Sequence, residues 1–159
     1  MGSNGKKVFL AIPAVIFCAD GAVRHRIDKR METGEKKEIC GGRIVLRKRY
    51  NEGAAFGICK SRPEAVTAVQ GVLLAAAAAG FSMLLPKKGR TGLKISLGML
   101  VGGGLGNFCD RIRKGHVVDY ISIPSRCKCL SNIVFNLSDL FVFAGAVFGM
   151  LSANRKKKE

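Results

Sequence analysis

Four long apolar runs, separated by polar and basic segments, dominate the pattern of the chain. The runs at 65–85 and 133–153 hold 21 residues each, and at about 1.5 Å of rise per residue each can cross roughly 30 Å of hydrocarbon. The runs at 8–23 and 93–108 are shorter but largely apolar. The pattern predicts an all-α membrane protein: one domain, 1–159, with four transmembrane helices over about these ranges.

The first apolar run could also be the core of a secretory signal peptide, because it follows a basic start. However, it contains Pro13 and Asp20, lacks a clear small-x-small cleavage site, and is followed by further apolar runs. We therefore expect an uncleaved first transmembrane helix.

Two local patterns add detail to this bundle. Gly98, Gly102 and Gly106 recur every four residues in the third run, the small-xxx-small spacing that lets membrane helices approach closely. Apolar and basic residues alternate over much of 43–50, which predicts a short strand between the first two helices. The sequence thus predicts a tightly packed third helix and a small β element outside the membrane.

The charge of the chain changes this picture only in its loops. The chain is 48% hydrophobic, yet its formal net charge is +16. A nucleic-acid binder would carry such charge on a folded surface with groove-reading elements, whereas here the bases flank apolar runs, as in membrane proteins with basic loops. We expect no nucleic-acid partner.

The distribution of the bases bears on orientation. Four crossings put both termini on one side, and 17 of the 27 lysines and arginines fall on the other. The positive-inside rule therefore argues weakly against cytoplasmic termini.

Two aspartates at the edges of apolar runs are the strongest candidates for chemistry. Asp119 falls in the predicted loop 114–132, and Asp139 falls in the first turns of the fourth helix, over which that loop can fold. Ionisable groups at membrane depth are costly and usually functional. Two carboxylates in a partly dry site tend to share one proton, which is how an aspartyl peptidase activates water.

Amides and further charges accompany these aspartates on two predicted helix faces. Asn107, Asp110 and Arg111 share one face near the membrane surface, where Asp110 and Arg111 could form a helix-end ion pair. Asn136 and Asp139, three residues apart, share a face of the fourth helix. We therefore expect a polar site at the end of the bundle away from the termini.

Taken in order, these motifs resemble those of the lipoprotein signal peptidases, the type II signal peptidases of bacteria. The resemblance covers nearly the whole chain and rests on Asn51-x-Gly-Ala-Ala-Phe-Gly, Gly106-Asn107-x-x-Asp110-Arg111, Val117-Val118-Asp119-Tyr120 and Phe135-Asn136-x-Ser138-Asp139.

The resemblance implies a fold and an activity. The fold is a four-transmembrane-helix bundle with a small extramembrane β-cradle, cytoplasmic termini, and an active site near the outer face of the bacterial plasma membrane. The activity is that of an aspartic endopeptidase, which removes the signal peptide from diacylglyceryl-modified prolipoproteins by cutting before the lipidated cysteine. The resemblance implies no metal or organic cofactor. We expect a monomer whose partners are prolipoproteins and membrane lipids.

The resemblance also implies roles for particular residues. Asp119 and Asp139 match the catalytic aspartates; one acts as general base on water and the other, protonated, polarises the scissile carbonyl, with the order left open. Four residues match polar positions of the substrate pocket: Asn51, Asn107, Arg111 and Asn136. Three others match supporting positions or support the fold: Asp20, Arg24 and Asp110.

The chain departs from the family pattern in several places. Ser138 stands where the family favours alanine, and Gly21 replaces the usual glutamine between Asp20 and Arg24. The pair Cys127 and Cys129 is also unexpected. It lacks the partner pair that a metal site needs, and a disulfide requires an oxidising outer compartment.

Other residues leave room for different functions. His25 and His116 are expected to be solvated loop residues rather than catalytic groups. A small four-helix transporter using intramembrane acids is one alternative, but it would want its carboxylate deep in a span. A catalytically inactive relative that binds lipoproteins is another, although both aspartates are intact.

Overall fold

The computed structural model describes residues 3–53, 61–125 and 132–155. It is mostly helical, as predicted, and carries one small sheet. The described helices are α1 (Ser3–Arg30), α2 (Pro63–Leu84), α3 (Thr91–Lys114) and α4 (Leu137–Arg155), and the strands are β1 (Lys36–Ile39), β2 (Ile44–Asn51) and β3 (Val117–Ser122).

Within the described ranges, three helical segments are long and apolar enough to cross a membrane: Gly5–Arg30, Pro63–Leu84 and Leu137–Asn154. The chain is therefore a membrane protein. α3 does not meet the same measure, because glycines and buried polar residues such as Lys94, Ser96 and Asn107 lower its hydropathy. Its position in the bundle explains this composition, since it packs against α1, α2 and α4.

The glycines of α3 allow this close packing. A Cβ atom at Gly102 would lie 2.8 Å from the Cα of Pro13 in α1, and one at Gly98 would lie 3.2 Å from the Cγ2 of Ile12. On another side of α3, a Cβ at Gly103 would lie 3.0 Å from the Cγ2 of Val142 in α4. The predicted small-residue packing of α3 is thus confirmed.

The three strands form an antiparallel sheet in the order β1-β2-β3 at the end of the bundle where α1 and α3 end. β2 confirms the strand predicted between the first two helices. It pairs with β3 so that Arg49 lies opposite Asp119 and Asn51 opposite Val117. Val118 and Tyr120 of β3 form a small buried core with Ile27 of α1 and with Met31, which follows α1.

The predicted loop at 114–132 is wrong for its first part, because Asp119 lies in β3. α3 ends at Lys114, where Gly115 takes a left-handed φ of 76° and its N–H donates to the Arg111 carbonyl. The β-branched and aromatic residues of Val117–Ser122 then favour an extended strand. Residues 126–131, which include Cys127 and Cys129, lie outside the described residues.

A short bridge joins β3 to the start of α4. The N–H groups of Tyr120 and Ile121 donate to the Phe135 carbonyl at 3.0 and 2.7 Å, and the Phe135 N–H donates to the Ile121 carbonyl at 2.9 Å. This bridge places Asn136 beside Asp119. The sheet and the fourth helix therefore meet where the two sequence-predicted aspartates lie.

Candidate active site

Asp119 is held by two amide side chains from different elements. Its side chain is buried, with the residue only 2% exposed. The Asn136 amide donates to Asp119 Oδ1 at 2.7 Å, and the Asn51 amide donates to Asp119 Oδ2 at 2.9 Å. These two hydrogen bonds therefore fix the orientation of the Asp119 carboxyl group.

Asp139 is fixed by the way α4 begins. The Asp139 N–H donates to Asn136 Oδ1 at 2.9 Å, and the Asn136 N–H donates to Asp139 Oδ2 at 3.1 Å. These reciprocal bonds are those of a capping box, which satisfies the free N–H groups of a helix start. The spacing of three residues that sequence reasoning assigned to a shared helix face is therefore an N-terminal cap, with Asn136 just before the helix.

Asn136 consequently contacts both aspartates. Its side-chain amide binds Asp119 while its backbone N–H binds Asp139. Asn136 is fully buried and thus sets the relative position of the two carboxyl groups.

The other oxygen of Asp139 is bound through a second amide and an arginine. The Asn107 amide donates to Asp139 Oδ1 at 2.7 Å. Arg24 donates to Asn107 Oδ1 at 2.5 Å, which fixes the orientation of that amide. Arg24 also pairs with Asp20 at 2.5 Å and with Asp110 at 2.8 Å. The guanidinium therefore connects α1 to the part of α3 that holds Asp139.

Asp20 lies at the centre of a buried network beneath the site. The Tyr120 hydroxyl donates to Asp20 Oδ1 at 2.8 Å and accepts the Leu137 N–H at 3.2 Å, while the Ser138 hydroxyl donates to Asp20 Oδ2. Burial and the Asp20 carboxylate raise the pKa of the Tyr120 phenol, so it stays protonated and can donate. The network ties α1, β3 and α4 together.

Sequence reasoning gave Tyr120 no role and left the effect of Ser138 open. A buried tyrosine usually has a hydrogen-bond partner for its hydroxyl, so a partner for Tyr120 could have been expected from the sequence. A Cβ at Gly106 would lie 2.7 Å from the Ser138 hydroxyl oxygen, so glycine leaves room for that hydroxyl.

Arg111 supports the site from the other side. It donates to the Gly53 carbonyl at 2.6 Å and to Gln70 Oε1 at 2.8 Å. The Gly53 N–H in turn donates to Asn51 Oδ1 at 3.1 Å, which directs the Asn51 amide towards Asp119. Gln70, a lone amide in an apolar run, was not singled out from the sequence.

The helix-end ion pair suggested for Asp110 and Arg111 is not formed. Asp110 instead pairs with Arg24 and, at 3.3 Å, with Lys114. Adjacent residues on a helix point in directions about 100° apart, whereas residues four apart share a face.

Burial and the neighbouring Asp139 carboxylate raise the pKa of Asp119 to about 7. The hydrogen bonds from the side-chain amides of Asn136 and Asn51 lower this pKa, but they do not offset the effects of burial and of Asp139. Asp119 can therefore hold a proton near neutral pH, as an aspartate pair that shares one proton requires.

The two histidines take no part in the hydrogen bonds that hold this pair in the described residues. His25, expected in a loop, lies in α1 and is exposed, and the His116 ring packs against Tyr50 with centroids 4.3 Å apart. Cys18, Cys40 and Cys109 are free thiols. Over the described ranges, no group of three or more His, Cys, Asp or Glu side chains is arranged to hold a metal ion.

The chain is similar in sequence to known proteins. A sequence profile of signal peptidase (SPase) II matches residues 12–155. The lipoprotein signal peptidase of Brevibacillus brevis is 31% identical over 137 residues, covering 86% of this chain and 88% of the relative. That of Symbiobacterium thermophilum is 33% identical over 138 residues, covering 87% of each chain.

The fold is also similar to that of solved structures. A bacterial membrane enzyme solved by the in meso method at 2.3 Å superposes with a TM-score of 0.79 at 19% identity, covering 95% of this chain and 90% of the other. A second one, solved at 1.9 Å, gives a TM-score of 0.75 at 20% identity and covers 92% of each chain. With the profile match extending over most of its length, the chain belongs to the signal peptidase II family.

Proposed function

We propose that Asp119 and Asp139 are the two catalytic residues of this peptidase. As a member of its family, the protein is an aspartic endopeptidase that cleaves the signal peptides of lipoproteins. The observation that carries the residue assignment is Asn136, which binds both carboxyl groups and so holds them as a pair.

The proposed reaction uses one proton shared by the pair. The ionised carboxylate takes a proton from water, and the water oxygen forms a bond to the scissile carbonyl carbon. The protonated carboxyl gives its proton to the carbonyl oxygen, which leaves a tetrahedral diol. The carboxylate formed in this way then takes one hydroxyl proton of the diol, and the other carboxyl gives its proton to the amide nitrogen. The C–N bond breaks, a carboxyl group and an amine are released, and the pair again holds one proton.

We assign the proton of the resting pair to Asp119 and the negative charge to Asp139. The pKa of Asp119 is raised to about 7 by burial and by the neighbouring carboxylate, so Asp119 can hold the shared proton near neutral pH. Asp139 lies in the first turn of α4 and accepts a backbone N–H, and helix N-termini favour negative charge. Asp139 is thus the general base and Asp119 the group that polarises the carbonyl.

The amides that hold the pair can also bind substrate. Asn51 and Asn107 each use one N–H for an aspartate, and a side-chain amide carries two. The second N–H of each can donate to a peptide carbonyl. Arg111 positions Asn51 through Gly53, which makes it a supporting residue in this proposal.

We further propose that α3 is a fourth transmembrane helix. Its 24 residues span about 36 Å at 1.5 Å per residue, and three polar residues along it are buried: Lys94, Ser96 and Asn107. Both termini then lie on one side of the membrane. On the family resemblance, and against the weak charge bias of the loops, we place the termini on the cytoplasmic side of a bacterial plasma membrane and the site at its outer face. The protein acts as a monomer in contact with membrane lipid.

This placement suits a substrate anchored by lipid. Asp139 lies at the first turn of a membrane-spanning helix, so the pair is level with the edge of the hydrocarbon. A cysteine that carries diacylglycerol is held at the same depth by its acyl chains. The peptide bond before that cysteine can therefore reach the two carboxyl groups.

The test is cleavage of a diacylglyceryl-modified prolipoprotein by the purified protein in bilayers. We expect cutting before the lipidated cysteine, a loss of at least 1,000-fold in kcat for Asp119→Asn or Asp139→Asn, and no effect of a chelator. Glu64→Gln, which changes an exposed carboxylate on α2, is the matched control and should cut normally.

Two outcomes would overturn the assignment. Retained activity in either aspartate variant would show that the chemistry lies elsewhere. A wild-type protein that binds the substrate and leaves it whole would instead identify a lipoprotein-binding relative.

A further inference from the structure

The last two turns of α1 carry three exposed basic residues at the end of the bundle that holds the active site. Arg26, Lys29 and Arg30 are spaced at i, i+3 and i+4, so they share one side of the helix, and all three are exposed. We call these three residues the α1 basic face. It lies at the same end of the bundle as the active site and opposite the termini.

The depth of this face in the bilayer follows from helix geometry. The first apolar run ends at Val23, and residues 26–30 lie about 5–10 Å farther along the axis at 1.5 Å per residue. The headgroup region adds roughly 5–8 Å to each side of the hydrocarbon. The α1 basic face is therefore level with lipid phosphates.

The acids nearby do not neutralise these bases. Asp28, which lies between them in sequence, pairs with Lys48 at 3.1 Å and with Lys114 at 3.8 Å. Among the described residues, no carboxylate forms an ion pair with the α1 basic face. The helix dipole favours Lys29 and Arg30 in the last turn, but the effect fades within one turn and does not account for Arg26.

The neighbouring hairpin repeats this excess of positive charge. Lys36 in β1 lies directly opposite Arg47 in β2, and like charges in such a cross-strand pair destabilise a sheet. No acid among the described residues pairs with either side chain. An external anion at this surface would offset the repulsion.

We propose that the α1 basic face binds the phosphate groups of anionic phospholipids in the leaflet next to the active site, with the β1–β2 hairpin adding to the attraction. Charge and depth together favour lipid over a free anion, because the bases are fixed at headgroup level by a helix that spans the membrane. Each base near an anionic surface adds to the attraction, and three acting together discriminate strongly between charged and zwitterionic lipid. The bound lipid would anchor the end of α1 that carries Asp20 and Arg24.

The experiment measures lipid binding directly and does not depend on catalysis. Native mass spectrometry of the purified protein gives apparent dissociation constants for dioleoyl-phosphatidylglycerol and dioleoyl-phosphatidylcholine. For the wild type we expect at least tenfold tighter binding of phosphatidylglycerol. Arg26→Gln/Lys29→Gln/Arg30→Gln should reduce that ratio to less than about threefold.

The control removes the same charge from the opposite end of the bundle. Lys7→Gln/Lys87→Gln/Lys88→Gln changes three exposed lysines and should keep the wild-type ratio. Retained helical circular dichroism and retained signal-peptide cleavage in detergent show that both variants fold.

Three results would overturn the proposal. The first is a wild type without preference for phosphatidylglycerol. The second is an equal loss in the two triple variants, which would indicate a response to net charge alone. The third is displacement of phosphatidylglycerol by an equal concentration of glycerol phosphate, which would indicate a site for free anions.

Discussion

Replacing Asp119 by asparagine should abolish cleavage and yet stabilise the fold above neutral pH. The shape of the side chain is nearly unchanged, but the variant cannot ionise. The carboxyl group of Asp119 lies in β3, outside the membrane-spanning helices, so the unfolded chain exposes it to water. Its ionisation therefore links stability to pH.

The magnitude follows from the raised pKa. A change from the ordinary value of 3.8 to about 7 corresponds to about 4 kcal/mol at 1.36 kcal/mol per unit. Because the folded-state pKa is the higher one, the folded protein holds a proton that the unfolded chain has lost between these values. The contribution of Asp119 to the free energy of unfolding is therefore fully present below about pH 4, falls as the pH rises to about 7, and is lost above it.

Asp119→Asn also loses one hydrogen bond. Asp119 accepts from the amides of both Asn51 and Asn136, and asparagine has only one oxygen to offer them. The loss of one hydrogen bond costs about 1–2 kcal/mol. We therefore expect Asp119→Asn to be about 2 kcal/mol more stable than the wild type at pH 8 and about 1–2 kcal/mol less stable at pH 4.

The assay is unfolding by sodium dodecyl sulfate in mixed micelles, followed by circular dichroism at both pH values. Glu38→Gln, an exposed change in the same sheet, should stay within about 0.5 kcal/mol of the wild type at each pH. If Asp119→Asn and the wild type differ by the same amount at pH 4 and pH 8, the argument that burial disfavours the charged carboxylate is refuted.

Two further substitutions test the packing and the buried charges in the same unfolding assay. Gly102→Ala should destabilise the fold by about 1–3 kcal/mol, because its Cβ would lie 2.8 Å from the backbone of Pro13. Gly21→Ala is the control: its Cβ would meet nothing within 4 Å, so this variant should be as stable as the wild type or more stable. Arg24→Met should cost about 3–5 kcal/mol because it leaves Asp20 buried without its cation, and adding Asp20→Asn should recover part of that loss; no recovery would contradict the pairing.

The sequence predicted the membrane helices and the polar residues of the site because each polar residue interrupts or borders an apolar run. Asp119, Asp139, Asn107 and Asn136 all stand out in this way, and the structure brings them into contact. The close approach of α3 to its neighbours was likewise visible, since the spacing of its glycines is a local pattern.

Contacts between distant segments were not visible. The strand that carries Asp119 was predicted as a loop, because its pairing with β2 joins residues about 70 positions apart and depends on the folded bundle. Asp110 was paired with its neighbour Arg111 on sequence proximity, while its partner Arg24 lies on another helix. The hydroxyl of Tyr120 reaches Asp20, a contact across 100 positions that no local pattern indicates.

The charges around the site are consistent with a single proton on the aspartate pair. Arg24 and Arg111 bring two positive charges into the network that holds the site, and Asp20 takes one negative charge to balance Arg24. In the proposed assignment, one further negative charge on Asp139 balances Arg111 and Asp119 is neutral. A second negative charge in a site this buried would have no further cation among the described residues to offset it. At the rim, a further acid and base balance each other: Asp110 and Lys114. The same arrangement that makes the network stable therefore leaves the pair with one acid and one base, which is the state that hydrolysis requires.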